Sequence, residues 1–504
     1  MSERSAIVGG TTLPVLMDQR RPSDETTFLR TVDGDRMSYG DLERRAERFA
    51  GALAAHGVGV GDRVAVSVEK SAAAVVLHVA LLRLGAVQLP LNPAYTDAEI
   101  GALLDDAEPT VLVQDPARSP LAGGWHTLTL DAGGSGSLAD TAAQAAPFTS
   151  SAALTADSPA ALLYTSGTTG RPKGAVLSHG NLVHNAITLV DAWAFTGDDV
   201  LLHVLPLFHT HGLFVATHCV LASGASMQLL PRFDLDDVLQ GLTTSTVFMG
   251  VPTHYARLLS DPRFDRALAD RQRLFISGSA PMTVGLHEQH TARTGQVVLE
   301  RYGMTETSML ASNPLVGVRK PGTVGKPLPG VGIRVVDDGD APVAAGEVGE
   351  VLVKGPNVFS GYWRRPELRD TVFTRGGWFR TGDLGRWDDD GYLELVGRSK
   401  DLVISGGMNV HPKEVETVLD SLDGVVESAV VGLPDADLGE VVVAVVVASA
   451  EAELDVSALL SSARQRLAGF KLPKRIVVVD ALPRNAMGKV EKARLRADLL
   501  QASA

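Results

Sequence analysis

The stretch LLYTSGTTGRPKGAVLSHGN, Leu162 to Asn181, gathers four glycines, two serines, three threonines and one lysine. Backbone N–H groups in such a loop can converge on an anion, and glycine gives the chain access to positive φ. Serine and threonine add hydroxyl donors. Lys173 adds a mobile positive charge suited to a polyphosphate, with Arg171 beside it. A Walker loop needs G-x-x-x-x-G-K-[ST], with a Mg²⁺-binding hydroxyl after the lysine. Here the run from Gly167 to Lys173 has the wrong glycine spacing, and Gly174 follows the lysine. Pro172 blocks a regular helix start after Gly170. Taken alone, the loop reads either as a phosphate cradle or as a flexible surface segment.

Four further segments follow it in order: ERYGMTET (300–307), FRTGDLG (379–385), GRSKDLVISGGMNVHPKEVE (397–416) and LPRNAMGKVEK (482–492). With the loop, they resemble the adenylate-forming superfamily of acyl-CoA synthetases, nonribosomal adenylation domains and luciferases. The resemblance covers most of the chain. LPLFHTHGLF, MGVPTHYARLL, RLFISGSAP and ERYGMTETSMLASNP are most similar to the malonyl-CoA synthetase branch. The resemblance implies a two-step reaction. A carboxylate attacks the α-phosphate of MgATP, giving acyl-AMP and pyrophosphate, and a CoA thiol then displaces AMP.

That resemblance assigns roles residue by residue. Thr165, Ser166, Gly167, Thr168, Thr169, Gly170 and Lys173 would hold the β- and γ-phosphates. The segment Glu300, Arg301, Tyr302, Gly303, Met304 and Thr305 would line the nucleotide, with Tyr302 stacked on adenine and Thr305 on the α-phosphate. Ser279, Ala280 and Pro281 would run along the base, and Glu306 would hold Mg²⁺, a hard cation that wants carboxylate oxygen. Asp383 would accept from the ribose hydroxyls, with Arg398 nearby. Lys489 would bridge the acyl carboxylate and the phosphate in the first step. Lys400 takes the hinge position. Ser405, Gly406 and Gly407 would line the pantetheine tunnel in the second step, and His209 would border the acyl pocket and that tunnel. His209 and His211 lie two apart with no evident third ligand, so a metal site is not indicated there.

The acid is assigned through Arg257, in GVPTHYARLL, which the resemblance sets against a distal substrate carboxylate. A buried cation without a partner is costly, and a second carboxylate would satisfy it through a two-pronged contact. Ser279 could add a hydrogen bond to the same group. Malonate is expected, with methylmalonate next, because one methyl is discriminated by only about 1–3 kcal/mol. Other readings stay open: a medium- or long-chain fatty-acid CoA ligase, an adenylating enzyme that loads a carrier protein, a phosphotransferase, or a nucleotide-binding scaffold.

These residues must be positioned by a large chain of 504 residues, too long for one compact core. Short apolar runs alternate with helical periodicity: RVAVSV at 63–68, TVLVQ near 110–114, ALLYT at 161–165, TVFMGV at 246–251, RLFISG at 273–278 and QVVLERYG at 296–303. That alternation predicts an α/β fold with largely parallel sheets. ALLYT, the loop and the helical segment behind it predict strand–loop–helix. Ser38, with Asp41 three residues on, predicts a capped helix ended by Gly57. Ala72 to Leu84 reads as a buried helix rather than a membrane span. From about 322 the pattern turns β-rich, and after Arg398 it returns to mixed α and β. The expected organisation is a large N-terminal domain over 1–398, of packed α/β subdomains plus a β-rich one, and a small mobile α+β domain over 399–504.

A net charge of −13 argues against nucleic acid and anionic lipid as partners. A single cysteine, Cys219, excludes a disulfide framework and fits a cytoplasmic setting and inert packing. The expected partners are a small dicarboxylic acid, ATP with Mg²⁺, and coenzyme A or a carrier protein, without integral membrane association.

Overall fold

The computed structural model describes residues 10–121, 123–150, 152–165, 172–406, 408–435, 438–449, 454–485 and 488–502. The expected sites Ser166, Gly167, Thr168, Thr169, Gly170 and Gly407 lie outside the described residues.

A six-stranded sheet contains β1 (Arg63–Ser67), β2 (Val87–Pro90), β3 (Pro159–Thr165) and β4 (Lys173–Ser178). β1, β2 and β3 run parallel, whereas β4 returns antiparallel along β3 and pairs Thr165 with Lys173. The expectation of strand–loop–helix is corrected here. Lys173 opens a strand, and the helix α3 (His179–Ala192) begins only after Ser178 caps it. The reason is tertiary: GAVLS has its ladder partners in β3, so its backbone bonds go there.

α1 (Tyr39–Ala55) carries the expected Ser38–Asp41 capping box and ends before Gly57, which takes φ 84°. α2 (Ala72–Leu84) is buried along nearly its whole length, which explains an apolar run with no polar face. No helix among the described residues is long and apolar enough to cross a membrane.

The nine-stranded sheet holds β5 (Val200–His203), β6 (Val247–Gly250), β7 (Leu274–Ser277) and β8 (Leu299–Met304), all parallel. Their carboxyl ends lie on one edge. The segments that follow them, Val204–His209, Val251–Pro252, Gly278–Met282 and Thr305–Glu306, therefore converge there. Open parallel sheets place ligands at that edge. β9 (Phe379–Trp387) and β10 (Leu393–Arg398) belong to a four-stranded antiparallel sheet. A separate five-stranded sheet contains β11 (Val403–Ser405), β12 (Met408–Val410) and β13 (Gly439–Ala448), with its own apolar cores. The architecture is the expected one: packed α/β layers, a β-rich unit and a small α+β unit.

Candidate active site

Strands of three sheets bring the polar groups together. Glu306 follows β8, and its Oε1 accepts from the Tyr362 hydroxyl at 2.9 Å and from Thr165 Oγ1 at 3.3 Å. Burial raises the pKa of this carboxyl. Lys173 stands across the ladder from Thr165, its Nζ 5.5 Å from the Tyr362 ring centre. The end of β3 is thus tied to the Glu306 carboxyl. Among the described residues no cluster of three or more His, Cys, Asp or Glu could hold a metal ion unaided.

On the β-rich side, β9 and β10 pair Asp383 directly with Arg398, and Arg398 Nε bonds Asp383 Oδ1 at 2.8 Å. The Tyr302 hydroxyl donates to Asp383 Oδ2. The aspartate charge, first of all, holds the Arg398 guanidinium more firmly protonated. Glu300, next along β8, accepts the Met282 N–H at 3.1 Å, and desolvation raises its carboxyl to about 7. Its second oxygen is buried without a partner. Glu300 therefore anchors the Ser279–Met282 segment.

Lys489 arrives from the small unit. It sits in a turn where Lys489 N donates to Asn485 Oδ1, Asn485 N to Lys489 O and Gly488 N to Asn485 O. Gly488 takes φ 72°, and a Cβ there would lie 3.0 Å from Thr253 Oγ1 and 3.6 Å from Val251 Cγ2. The turn is thus seated against the carboxyl end of β6. The Lys489 side chain keeps solvent access by area, yet protein surrounds it on most sides of the cleft. Desolvation, then the Arg398 charge, brings its ammonium down to about 8. The lysine is therefore cationic at neutral pH and loses its charge as pH rises through 8. For a step that needs this charge, kcat/KM of the free enzyme should fall about tenfold per pH unit above that value. A profile of pyrophosphate exchange that stays flat to pH 9.5 would refute this.

The floor of the cleft holds a second cation. Arg301 on β8 is 4% exposed and, among the described residues, has no carboxylate partner and leaves Nε and Nη2 without acceptors. Gly278 makes room for it: a Cβ there would stand 2.4 Å from the guanidinium carbon. Burial lowers Arg301 to about 9, so it stays charged at neutral pH. Around it stand His209, brought down to about 4 by desolvation and then by Arg301 and Lys489, and His211. His211 Nδ1 lies 3.1 Å from Ser279 Oγ, and Ser279 is held at φ 69°, an uncommon conformation for a residue with a side chain. His211–Ala216 forms a π-helical turn, the kind of irregularity that re-aims side chains at sites.

Arg257, expected against a distal substrate carboxylate, is exposed in this structure. α4 (Pro252–Leu259) buries Tyr255 and Leu258, which leaves Arg257 on the exposed face. Its guanidinium rests 5.7 Å from the centre of the Phe233 ring. Among the described residues, Arg301, expected among the nucleotide contacts, is a second enclosed cation with two donors unpaired. The signal was present, as an arginine flanked by two β-strand residues in a buried register, but motif membership masked it. Ser405 and Gly406 are not brought to the cluster. Ser405 pairs with Gly439 on β13 and Gly406 N bonds Leu438 O. Lys400 is exposed in a single helical turn, Ser399–Asp401. Cys219 is buried and unpaired, as expected.

A family model described as "AMP-binding enzyme" matches residues 17–363, and one described as "AMP-binding enzyme C-terminal domain" matches 414–489. Malonate–CoA ligase of Arabidopsis thaliana is 40% identical over 374 residues, covering 68% of this chain and 61% of that protein. Indoleacetate–CoA ligase of Aromatoleum aromaticum is 37% identical over 494 residues, covering 93% and 94%. The chain thus spans about three fifths of the length of the plant relatives it matches. Among solved structures, ATP-bound MatB from Rhodopseudomonas palustris is 50% identical, covers 96% of this chain and 97% of that one, and superposes with a TM-score of 0.93.

Proposed function

The chain belongs to the AMP-binding enzyme family, and from that premise we propose that it joins malonate to coenzyme A. ATP is consumed through a malonyl-AMP intermediate, with release of AMP and pyrophosphate. The observation that carries the choice of acid is Arg301. A buried guanidinium with two idle donors is costly, and the distal carboxylate of a short diacid would satisfy it. A monoacid would leave it unpaired, and such sites reject analogues that lack the matching group.

In the first step, charge gathers on the α-phosphorus, so fixed cations and donors are the catalysts needed. Lys489 bridges the attacking carboxylate and the phosphate, Thr305 contacts the α-phosphate, and the Thr165–Lys173 segment holds the departing pyrophosphate. Tyr302, Ser279, Ala280 and Pro281 seat the base, and Asp383 and Arg398 the ribose. Glu306, with the Thr165 and Tyr362 hydroxyls on it, offers a hard oxygen set that suits a magnesium ion shared with phosphates. Bound there, the ion would neutralise phosphate charge. Neutral His209 borders the acid. For the second step, the small unit, 399–504, turns about Lys400 on the large unit, 1–398, and brings Ser405, Gly406 and Gly407 toward the thiol path. The acceptor is free CoA and the setting cytoplasmic; a carrier protein is the alternative acceptor.

Pyrophosphate release with malonate, methylmalonate, acetate, hexanoate and benzoate tests the reading. Malonate should lead, with methylmalonate within about tenfold and acetate at least 10²-fold behind. Greater activity on hexanoate or benzoate than on malonate would overturn it.

A further inference from the structure

A cavity of about 310 Å³ lies beside Val251 and the segment leading into His209. Its rim is exposed at Ala94, Pro231 and Arg232. Its inner wall is Val204–Phe208, the segment that leads into His209, together with Val251, against which the Lys489 turn is seated. The walls are mostly apolar. At the buried end stands Lys70, 9% exposed, on the turn between β1 and α2. Its Nζ donates to His203 O at 2.8 Å. No carboxylate among the described residues pairs with it.

A lysine enclosed among apolar walls with one carbonyl acceptor suits the neutral amine better than the ammonium. Burial alone lowers its proton affinity well below the ordinary value. The ionisable groups facing it from the packed elements are His203 on β5, His254 on α4, and Glu69 and Arg232 along the cavity. Both histidines are held neutral by burial. Glu69 is the sole carboxylate among these groups.

We propose that Lys70 is the proton acceptor of the second half-reaction, taking the proton from the thiol of CoA that enters through this cavity. The inference rests on the CoA-ligase reading. The step balances as follows. The S–H bond breaks and the proton moves to the Lys70 amine, giving an ammonium and a thiolate. The thiolate electron pair forms the S–C bond at the acyl carbonyl, and the C–O bond to AMP breaks with its pair on the phosphate oxygen. The ammonium then returns its proton to solvent through the open end of the cavity. A thiol is a few per cent ionised near neutrality, so a positioned base raises the rate at which the nucleophile is available.

The rival role for Lys70 is a strut between the turn after β1 and the end of β5. Two variants separate the roles. Lys70→Met keeps the stem and removes the base, and Lys70→Arg keeps a donor for His203 O but stays protonated. With supplied malonyl-AMP and CoA, both should form thioester about 10²-fold more slowly at pH 7. Their residual rates should rise about tenfold per pH unit toward the thiol's own pKa of roughly 8.5. Pyrophosphate exchange should stay within twofold of wild type and report an intact fold. Restoration of the thioester rate by Lys70→Arg, an equal fall in both half-reactions, or a pH profile parallel to wild type would each overturn the proposal. A wild-type enzyme that forms no thioester with CoA would overturn the CoA reading itself, and the Lys70 assignment with it.

Discussion

Lys489→Ala is expected to slow acyl-adenylate formation by about 10³-fold while leaving thioester formation from supplied malonyl-AMP within a few-fold of wild type. The reason is electrostatic. Attack of one anion on another needs a cation placed between them before the reaction begins, and removing one such contact costs about 10²–10³-fold. Of the cations on the small unit, Lys489 is the one whose seat against Val251 and Thr253 is fixed by a built turn. Its charge is coupled to Arg398 and Asp383, which pair with each other across β9 and β10. Once the acyl-phosphate bond exists, that cation has no further charge to bridge. Pyrophosphate exchange reads the first half-reaction, and thioester formation from the supplied intermediate reads the second. An equal fall in both would remove Lys489 from the first step.

Arg301→Met should cost about 10²–10³-fold in kcat/KM for malonate and leave acetate nearly unchanged. Separating one partner of a buried charge pair typically costs ~3–5 kcal/mol, and here the missing partner is the substrate's second carboxylate. The same substitution should not destabilise the free protein. Arg301 is buried, with two donors idle, so methionine of similar volume removes an unpaid desolvation cost. A thermal midpoint equal to or above wild type, combined with selective loss of malonate, identifies a group held for binding rather than for folding. Arg257→Ala is the companion variant. An exposed guanidinium over a phenylalanine ring contributes about 0.5–1 kcal/mol, so its effect on malonate should stay within a few-fold. If Arg257→Ala lost malonate and Arg301→Met did not, the distal carboxylate would be bound on α4 after all.

Local chemistry made much of the molecule legible from its sequence. The Ser38–Asp41 box, Gly57 beyond the helix end and the apolar run of α2 each act within a few residues, so their patterns predict the elements found. The alternation of apolar strands and helical periods likewise predicts the parallel sheets found. The motif order GTTGRPKG, GMTET, TGD and NAMGK points to the reaction class, because each motif is a contiguous segment legible without the fold.

What the sequence left undecided depends on contacts that no local periodicity encodes. GAVLS is a strand because β3 offers it a ladder, and no periodicity within six residues could say so. Arg257 and Arg301 look alike as letters. Only the packing of α4, the room at Gly278 and the absence of a nearby carboxylate decide that one guanidinium is solvated and the other enclosed. Lys70, too, is an ordinary lysine until β5 and α4 close over it. Chain order sets which groups exist and which local shapes they take. Burial, and hence the cost of a charge, is set by neighbours that other strands and helices bring in, such as Gly278 beside Arg301 and His203 beside Lys70.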